Sequence, residues 1–503
     1  MNNMVYLIGA GPGDPGLLTL RGAEILQRSD VVLYDGLSNV ALLKHAPRAE
    51  HICVGKHGQQ RIWRQEEIID EMLKHARNGR VVARLKGGDP AVFARTAEEV
   101  DALFKAGIPY EIVPGITAAL AAGSYAGIPI THRKLASAVA LVTGHEEPGK
   151  SQSALDWHAL AHFPGTLVVY MGVTTAETWT RALIENGKPG DTPVAIVRRC
   201  SHHDQQTFRC RLDEVAERLS PAHKLRPPVI VIIGPVAELT ETQNWLEQRP
   251  LFGKTVLVTR PIEQAEELAS PLRDLGATVL IQPAIQIGPP ADYPQVDAAI
   301  ESLPRQDIVI FFSRNGVQYF LQRVLETGRD LRAFAHSTLT CVGKQTAAAL
   351  ADYHLRADIV PPDFTAESLV QELSGKVRGK RILIVRASRG RDLLYESLQQ
   401  EGAEVSQVVA YAHTDVTNPD PKIVQMAEQG QIDWITLTST ATVKSLHHML
   451  GDSMRQAKLA TLSPITSNAV RQLGYTVACE AAPYTIESLV QALVNFKPAS
   501  ERK

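Results

Sequence analysis

The stretch VYLIGAGPGDPGLLTL, residues 5–20, decides how the first part of the chain folds. An apolar run leads into a glycine turn, as in the opening of a dinucleotide-binding βαβ unit. Gly9 and Gly11 occupy the first two glycine positions of G-x-G-x-x-G, but Asp14 stands at the third. A carboxylate at a helix N-terminus disfavours a pyrophosphate there. The loop therefore predicts close approach of the backbone to a ligand that is neutral or cationic.

The composition is that of an ordinary globular protein. The chain has 503 residues, 44% hydrophobic and 21% charged, with a net charge of −2, and predicts two to four domains of roughly 100–200 residues each. No strong charge favours nucleic acid or an anionic membrane as a partner. The five cysteines are scattered and never form C-x-x-C, which is typical of a reduced cytoplasmic protein. Apolar runs such as 229–233 are far shorter than the roughly 20 residues that span a bilayer, so no signal or transmembrane segment is expected.

Strand-like and helical segments alternate along both halves, which predicts an α/β fold. The polar stretch ETQNWLEQRPLFG, residues 241–253, is predicted to be a linker between a first half, residues 1–240, and a second half, residues 254–503. A fresh apolar strand after a polar turn near residue 135 divides the first half into sublobes at about 1–135 and 136–240.

The second half contains an internal repeat. Three phrases recur in the same order: FSRNGV (312–317) as TSTATV (438–443), VGKQTA (342–347) as LSPITS (462–467), and FTAESL (364–369) as YTIESL (484–489). The repeat predicts two equivalent α/β lobes with a cleft between them. Two extended segments, 281–289 and 408–416, are predicted to pair as a two-stranded connector. One lobe then consists of 254–283 with 415–503, and the other, 288–408, is inserted into it.

A second motif in the first half is RLKGGDPAVFAR, residues 84–95. A strand ends in a tight glycine turn, where Asp89 is placed to bind a ribose hydroxyl or an ammonium group. An isolated turn of this kind is more often an ordinary surface turn. RLKGGDPAVFAR occurs in the same α/β half as VPGIT (113–117) and AGIPITHR (126–133), and this combination favours a binding site.

Residues 1–240 resemble the tetrapyrrole methylases, and among them the uroporphyrinogen-III C-methyltransferases. The resemblance is carried by VYLIGAGPGDPGLLTL, DVVLYDGL (30–37), VGK (54–56), QEEI (65–68), RLKGGDP, VPGIT, AGIPITHR, TGH (143–145) and VVYMG (168–172). It implies S-adenosylmethionine (SAM) as the methyl donor, held between two α/β domains, and a homodimer formed through this half. The reaction implied is double carbon methylation of uroporphyrinogen III to precorrin-2.

The resemblance also implies site residues in the first half. Asp35 matches the family's proton acceptor and Lys56 its proton donor, although Asp35 also reads as a helix cap after the strand 31–34. The implied cofactor-binding residues are Pro12, Gly87, Gly88, Asp89, Val92, Thr117, Ala118, Met171 and Cys200. Cys200 stands where the family usually has glycine, and Ala94 replaces a glycine before Arg95.

The substrate of that reaction carries eight carboxylates, and guanidinium groups bind carboxylates bidentately. The candidate partners are Arg84, Lys86, Arg95, Arg133, Arg198 and Arg199. For any one of them alone, a solvated surface charge is the alternative. The run CSHH (200–203) with Cys210 matches no common zinc spacing, so no metal is expected.

Residues 254–503 resemble uroporphyrinogen-III synthase. The matching segments are VLVTRP (256–261), FFSRNGV (311–317), VGKQTAAAL (342–350), PPDFTAESL (361–369), RILIVRASRGRDLL (381–394), VVAYAHT (408–414) and YTIESLVQAL (484–493). The resemblance implies cyclisation of hydroxymethylbilane with inversion of ring D and loss of water, without a cofactor. Tyr411 matches the tyrosine that protonates the leaving hydroxyl, with a half-buried strand tyrosine as the alternative. The cleft residues implied are Ser313, Ser388, Arg389, Ser439 and Thr466, and Ile465 departs from the threonine pair common there.

Taken together, these patterns favour a bifunctional enzyme of tetrapyrrole biosynthesis in the cytoplasm. Its partners are expected to be small tetrapyrroles, with a transient contact to hydroxymethylbilane synthase, and neither nucleic acid nor a membrane. The use of precorrin-2 for siroheme, cobalamin or haem stays open. One rival is an NAD-dependent oxidoreductase, and Asp14 in place of the third glycine argues against it. A second alternative stays open: an active methylase whose second half only binds tetrapyrrole or regulates.

Overall fold

The structure, a computed structural model, describes residues 3–55, 63–146, 153–223, 225–239, 244–363, 365–389 and 392–497. The chain divides into two compact units, residues 1–253 with 275–278 and residues 254–274 with 279–503. Within the described ranges, every helix is too short or too polar to cross a bilayer.

The first unit begins with a five-stranded parallel sheet in the order β3-β2-β4-β1-β5. Alternate residues of β1 face opposite sides: Val5 and Leu7 pack in one core layer, and Tyr6 and Ile8 in another. Two covered faces explain why β1 is apolar throughout. The elements of this lobe are β1 Val5–Gly9, α1 Leu20–Gln27, β2 Val31–Tyr34, β3 Glu50–Cys53, α2 Gln65–Arg77, β4 Val82–Lys86, α3 Thr96–Lys105, β5 Tyr110–Val113 and α4 Ala118–Tyr125.

The second lobe of this unit is a mixed sheet in the order β6-β7-β10-β8-β9, parallel only between β6 and β7. Small residues of α4, such as Ala119 and Ala122, share a core with Tyr170 and Val197 of this sheet, so α4 joins the two lobes. The elements are β6 Val139–Thr143, α5 Trp157–Ala161, β7 Thr166–Tyr170, α6 Ala176–Glu185, β8 Pro193–Arg198, β9 Gln206–Arg211, α7 Val215–Arg218 and β10 Val229–Ile233.

The described part of the predicted linker, residues 244–253, differs from expectation. Trp245 donates its indole N–H to the Ser124 carbonyl at 2.8 Å and stacks on Tyr125, with ring centroids 5.2 Å apart. Glu247 accepts hydrogen bonds from Gln205 and Thr207. The segment is therefore part of the first unit, because its apolar and polar side chains both find partners there.

The second unit contains two five-stranded sheets, in the orders β12-β11-β18-β19-β20 and β13-β17-β16-β14-β15. Its elements in chain order are β11 Thr255–Val258, α8 Ile262–Asp274, β12 Thr278–Ile281, β13 Ile285–Gly288, α9 Tyr293–Ser302, β14 Ile308–Phe311, α10 Arg314–Glu326, β15 Thr338–Cys341, α11 Lys344–Asp352, α12 Ala366–Leu373, β16 Arg381–Ala387, α13 Leu393–Gln400, β17 Glu404–Asp415, α14 Pro421–Glu428, β18 Trp434–Leu437, α15 Thr440–Leu450, β19 Lys458–Thr461, α16 Pro464–Gln472, β20 Val477–Glu480 and α17 Ile486–Val494.

The chain passes between the two lobes of this unit on β13 and β17. These strands pair antiparallel, with Ile285 opposite Asp415 and Gly288 opposite Ala412. The predicted fold class, an α/β chain whose second half is two lobes joined by a two-stranded connector, is confirmed.

The sequence repeat reappears as repeated helix caps. Ser313 begins α10 with φ −157° and ψ 160°, and Ser439 begins α15 with φ −155° and ψ 161°. Thr365 and Thr485 cap α12 and α17 with φ of −117° and −120°. A cap residue holds an extended backbone while its hydroxyl accepts a hydrogen bond from the first turn. The recurring phrases therefore mark the same strand-to-helix turn in both lobes.

Candidate active sites

The first site lies where the carboxyl ends of β1, β4 and β5 meet. Backbones approach so closely there that a methyl group on Gly9 would lie 2.5 Å from the Cα of Gly115. Gly11 and Gly88 pair as an antiparallel bridge, and both adopt a positive φ, +72° and +70°. A side chain at these positions would be strained or would collide, since the positive φ region favours glycine. The two glycine motifs thus form one layer of closely packed backbone, in which Gly9 and Gly11 are buried.

The Asp89 side chain connects two segments of this layer by hydrogen bonds. Its carboxylate accepts hydrogen bonds from the amides of Ala91, at 2.7 Å, and Gly115, at 2.9 Å. Gly87 has open space around its Cα, with only Leu37 within 4 Å of an added methyl group, and its amide lies 3.4 Å from Asp35 Oδ2. The glycine turn therefore links the predicted cofactor residues to Asp35.

The remaining predicted cofactor residues collect around the start of α4. The Thr117 hydroxyl lies 2.6 Å from the Tyr170 hydroxyl, which also accepts a hydrogen bond from the amide of Ala119. Next to Tyr170, Met171 has a positive φ of 54° and is half exposed. Val92 and Ala118 pack against the apolar cluster around Tyr170. Pro12, half-buried, follows Gly11 directly.

Cys200 is buried beside this group, with its thiol 3.8 Å from the Ala118 carbonyl. Burial raises the pKa of the Cys200 thiol to about 12. The side chain is therefore a small neutral filler behind the first turn of α4.

Asp14 does not face this layer with a free charge. One carboxylate oxygen caps the following turn through the Gly16 amide at 2.8 Å, and the other accepts a hydrogen bond from the Tyr125 hydroxyl at 2.7 Å. Its own amide donates to the Ser201 hydroxyl. Next to it, Gly13 lies against the ring of His202, so that a methyl group there would collide with the imidazole.

Asp35 lies at the partly exposed end of a chain of ion pairs whose other members are buried. Its Oδ1 lies 2.6 Å from Arg84 Nη2, and Arg84 Nε lies 3.2 Å from Glu99 Oε1. Lys86 Nζ lies 2.5 Å from the other oxygen of Glu99. Arg84, Lys86 and Glu99 are 3%, 2% and 0% exposed, whereas the Asp35 side chain is 30% exposed. Desolvation lowers the pKa of Lys86, and the carboxylates of Asp35 and Glu99 raise the pKa of Arg84 against its own burial.

The predicted roles of Arg84 and Lys86 as substrate ligands are corrected by this arrangement. Both side chains are enclosed and paired within the protein, so they do not reach a substrate carboxylate. Sequence reasoning missed Glu99, whose position in α3 gave no signal of its own. Arg133 is exposed on the loop after α4, and Arg95, also exposed, pairs with Glu98. Lys56 lies outside the described residues.

The second site is a cleft of about 780 Å³ in the second unit. Its lining comes from the carboxyl ends of β14, β15 and β16, from β17, and from the N-termini of α12 and α16. The predicted residues that line it are Ser313, Arg389 and Tyr411. Lining residues that the sequence did not single out include Thr365, Glu367, Arg386 and His413. His413 stands two residues after Tyr411, and that period-2 spacing is the signal that could have identified it.

Tyr411 is 3% exposed, and its hydroxyl lies 2.8 Å from the Ser313 hydroxyl. The Tyr319 ring stacks on it with centroids 5.8 Å apart, and the His413 ring meets it edge-on at 5.1 Å. Desolvation raises the pKa of Tyr411, partly offset by hydrogen bonds from Ser313 and Asn315. The phenol is thus neutral and able to donate a proton.

Ser388 and Arg389 follow β16 at the edge of the cleft. The Ser388 hydroxyl accepts a hydrogen bond from the His413 amide at 2.9 Å. Arg389 forms a two-pronged ion pair with Asp415, both distances being 2.8 Å, and is half exposed. Arg389 therefore reaches the cleft with its charge already partly balanced.

Ser439 and Thr466 do not line this cleft. The Ser439 hydroxyl accepts the Thr442 amide at the start of α15. Thr466 is 2% exposed and its hydroxyl lies 3.1 Å from that of Ser463. The expectation that Thr466 holds a carboxylate is therefore wrong: at this helix end Ile465, 68% exposed, is the residue that lines the cleft.

Among the described residues, no group of three or more His, Cys, Asp or Glu side chains is arranged to hold a metal ion. In the run 199–204, Arg199 pairs with Asp204. Burial lowers the pKa of His202 to about 4 and also lowers the pKa of His203.

Comparison with known proteins assigns a family to each half. The family model "Tetrapyrrole (Corrin/Porphyrin) Methylases" matches residues 4–216, and "Uroporphyrinogen-III synthase HemD" matches residues 266–491. A "Porphyrin biosynthesis protein HemD" of Ruminiclostridium josui is 34% identical over 98% of this chain and 98% of its own length. A "Uroporphyrinogen-III C-methyltransferase" of Bacillus subtilis is 36% identical over 72% of this chain and 74% of its own. An "S-adenosyl-L-methionine-dependent uroporphyrinogen III methyltransferase" of Methanosarcina barkeri is 44% identical over 47% of this chain and 92% of its own.

Proposed function

The chain belongs to the tetrapyrrole methylase family through its first half and to the uroporphyrinogen-III synthase family through its second, and from that membership we propose two consecutive reactions. The second unit cyclises hydroxymethylbilane to uroporphyrinogen III with inversion of ring D. The first unit methylates uroporphyrinogen III twice to give precorrin-2. The observation that carries the proposal is that a relative which aligns with 98% of this chain, at 34% identity, is itself named a porphyrin biosynthesis protein.

The glycine layer of the first unit fits SAM as the methyl donor. SAM is a sulfonium cation without phosphate, and the layer presents backbone, open space at Gly87 and the nearby carboxylates of Asp35 and Asp89 rather than a phosphate cradle. Pro12, Gly87, Gly88, Asp89, Val92, Thr117, Ala118, Met171 and Cys200 are the residues proposed to hold it. When bound, SAM supplies an electrophilic methyl group to a pyrrole carbon.

Asp35 is proposed to remove the proton that carbon methylation leaves on the substrate. Its carboxylate is partly exposed and is held by Arg84 at 2.6 Å and by the Gly87 amide. A carboxylate fixed in this way keeps one direction toward the ligand, and such orientation is worth roughly 7–11 kcal/mol of barrier in well-aligned reactions. Lys56 is the proposed proton donor. Arg95 and Arg133 are proposed to bind carboxylates of the substrate.

In the second unit, Tyr411 is proposed as the general acid. Its proton passes to the hydroxymethyl oxygen, the carbon–oxygen bond breaks, and water leaves. The electron-rich pyrrole carries the resulting positive charge until ring closure releases a proton back to the tyrosine. Burial supports this role because it keeps the phenol protonated. Ser388 and Arg389 are proposed to bind carboxylates at the cleft edge, and no cofactor is proposed.

The two reactions are separable by experiment. Porphobilinogen, purified deaminase and SAM are supplied to the full chain, and the products are oxidised and resolved by isomer and by methylation. We expect doubly methylated isomer III. Formation of isomer I alone refutes the synthase assignment, and unmethylated uroporphyrinogen III refutes the methylase assignment.

Two variants serve as controls for each other in that assay. Asp35→Asn is expected to lose methylation about 100-fold or more while ring closure continues, since general acid–base groups contribute roughly 10²–10⁴-fold. Tyr411→Phe is expected to lose ring closure to isomer III by a similar factor, while it still methylates uroporphyrinogen III that is supplied directly. Loss of both activities in either variant contradicts the assignment of the two residues to separate reactions.

Three further properties are proposed. A homodimer through the first unit is checked by analytical ultracentrifugation, and a transient contact with hydroxymethylbilane synthase by cross-linking during turnover. A cytoplasmic location is supported by the five cysteines, all of which are free thiols.

A further inference from the structure

The Tyr411 hydroxyl has a defined partner in the first turn of α10. Tyr411 lies on β17 and Ser313 lies at the start of α10, and their oxygens are 2.8 Å apart. The Ser313 hydroxyl also accepts a hydrogen bond from the Gly316 amide at 3.0 Å. Because one lone pair of the serine oxygen is taken by that amide, its second lone pair and its own hydrogen are available to the tyrosine.

Packing holds the two hydroxyls at this distance. A methyl group on Gly316 would lie 3.4 Å from the Ser313 oxygen and 3.8 Å from the Tyr411 ring, so the tyrosine rests on the first turn of the helix. One turn further, the Tyr319 ring stacks on Tyr411. The phenol is therefore oriented by α10 rather than by its own strand alone.

The equivalent turn in the other lobe lacks this arrangement. Ser439 caps α15 with nearly the same backbone angles, but its hydroxyl is shared with Thr442. Capping alone therefore does not explain the contact between Ser313 and Tyr411.

We propose that Ser313 is a positioning residue for Tyr411: it directs the phenol proton before transfer and donates its own hydroxyl hydrogen to the phenolate afterwards. This inference rests on the proposed synthase reaction. The tyrosine O–H bond breaks as its proton joins the hydroxymethyl oxygen, and the carbon–oxygen bond breaks as water leaves. The electron pair left on the tyrosine oxygen is then stabilised by the serine hydrogen, until the proton released at ring closure returns to it.

The hydrogen bond from the Gly316 amide makes Ser313 a stronger hydrogen-bond donor to the phenolate than a serine without such a bond. An amide that donates to the serine oxygen polarises the hydroxyl and strengthens its donation to an anion. The N-terminus of α10 behind it carries partial positive charge, which favours a nearby negative charge. The polarised serine hydroxyl and the helix N-terminus stabilise the neutral phenol only slightly. Their stabilisation of the tyrosine oxygen therefore grows as its proton leaves.

The test compares Ser313→Ala, Tyr411→Phe and the double variant in the full chain, without SAM. Hydroxymethylbilane is supplied by purified deaminase, and the isomers I and III are measured after oxidation. For Ser313→Ala we expect kcat for isomer III to fall about 10- to 100-fold with KM within about twofold, because a hydrogen bond to a developing charge is lost. In the double variant we expect no further loss beyond Tyr411→Phe, because Ser313 acts through the tyrosine.

Asp420→Ala is the matched control, since Asp420 caps α14 in the same unit through the Lys422 amide and does not line the cleft. It is expected to keep the wild-type kcat. A Ser313→Ala variant with wild-type kcat, or a double variant whose loss equals the product of the two single losses, overturns the proposal. If Tyr411→Phe is fully active, the acid role in the proposed function fails instead, and wild-type chain that yields only isomer I refutes the synthase reaction itself.

Discussion

Asp14 and Tyr125 are joined by a 2.7 Å hydrogen bond between the first glycine loop and the end of α4. Burial of the tyrosine hydroxyl and its hydrogen bond to the Asp14 carboxylate both raise the pKa of Tyr125. Asp14 therefore fastens the loop to a helix that is shared by both lobes of the first unit. A residue that breaks the dinucleotide pattern acts here as a structural tie.

Replacing Asp14 by glycine completes G-x-G-x-x-G in the sequence without creating a nicotinamide site. We expect Asp14→Gly to bind no NAD in calorimetry and to lose about 1–3 kcal/mol of unfolding free energy, because the Tyr125 hydroxyl and the Gly16 amide lose their acceptor. Tyr125→Phe is the control and is expected to lose less, since it leaves the Gly16 cap intact. Measurable NAD binding by Asp14→Gly contradicts this account.

Glu99→Gln is expected to destabilise the first unit by about 3–5 kcal/mol. The substitution leaves Arg84 and Lys86 buried without the carboxylate that both contact, and an uncompensated buried charge is costly. Urea unfolding measures the change. Glu98→Gln, which removes only an exposed partner of Arg95, is expected to change stability by less than about 1 kcal/mol. Equal effects of the two substitutions are incompatible with the buried network.

Gly13→Ala is expected to weaken SAM binding, because the added methyl group meets the His202 ring and pushes the loop away. Overpacking of this kind costs typically about 1–3 kcal/mol. The double variant Gly13→Ala with His202→Ala removes the collision and is expected to regain affinity in SAM calorimetry. Failure of the second substitution to restore binding places the cause elsewhere in the loop.

The stability of the first unit is expected to fall in mild acid through His202. Burial lowers the pKa of His202 from 6.5 to about 4, so the unfolded chain binds more protons than the folded one between these values. Unfolding free energy therefore rises with pH across that window and is lost as pH falls from 6.5 toward 4, by on the order of 3 kcal/mol. Urea titrations between pH 4 and 7 measure it. In His202→Gln this part of the slope should vanish, and an unchanged slope would falsify the assignment.

The α/β class and the two-stranded connector were predictable because strand period, turn residues and the internal repeat are local signals. The repeat even placed Ser313 and Ser439 at the same turn of each lobe. The glycine motifs predicted a close approach of the backbone to a ligand, which stays a prediction. The pairing of Gly11 with Gly88 is an approach of backbone to backbone that the sequence did not predict.

Other features depend on packing that no local pattern contains. A central strand with two covered faces is expected to be apolar, yet β4 buries Arg84 and Lys86 because Glu99 comes from α3 to meet them. At the start of α16, one residue is about 100° of helix rotation, so the same turn presents Ile465 to the cleft and Thr466 to the core. The sequence analysis named Thr466 as the cleft residue and Ile465 only as a departure from the family pattern, because no local signal fixes the rotation of α16 about its own axis.

The segment 244–253 determines where the two enzymes can be cut apart. If the chain is cut after Gly253, Trp245 keeps its contacts with Ser124 and Tyr125 at the end of α4. If it is cut before Asn244, Trp245 is removed and Tyr125 loses this contact. A methylase expressed alone should therefore retain residues 244–253.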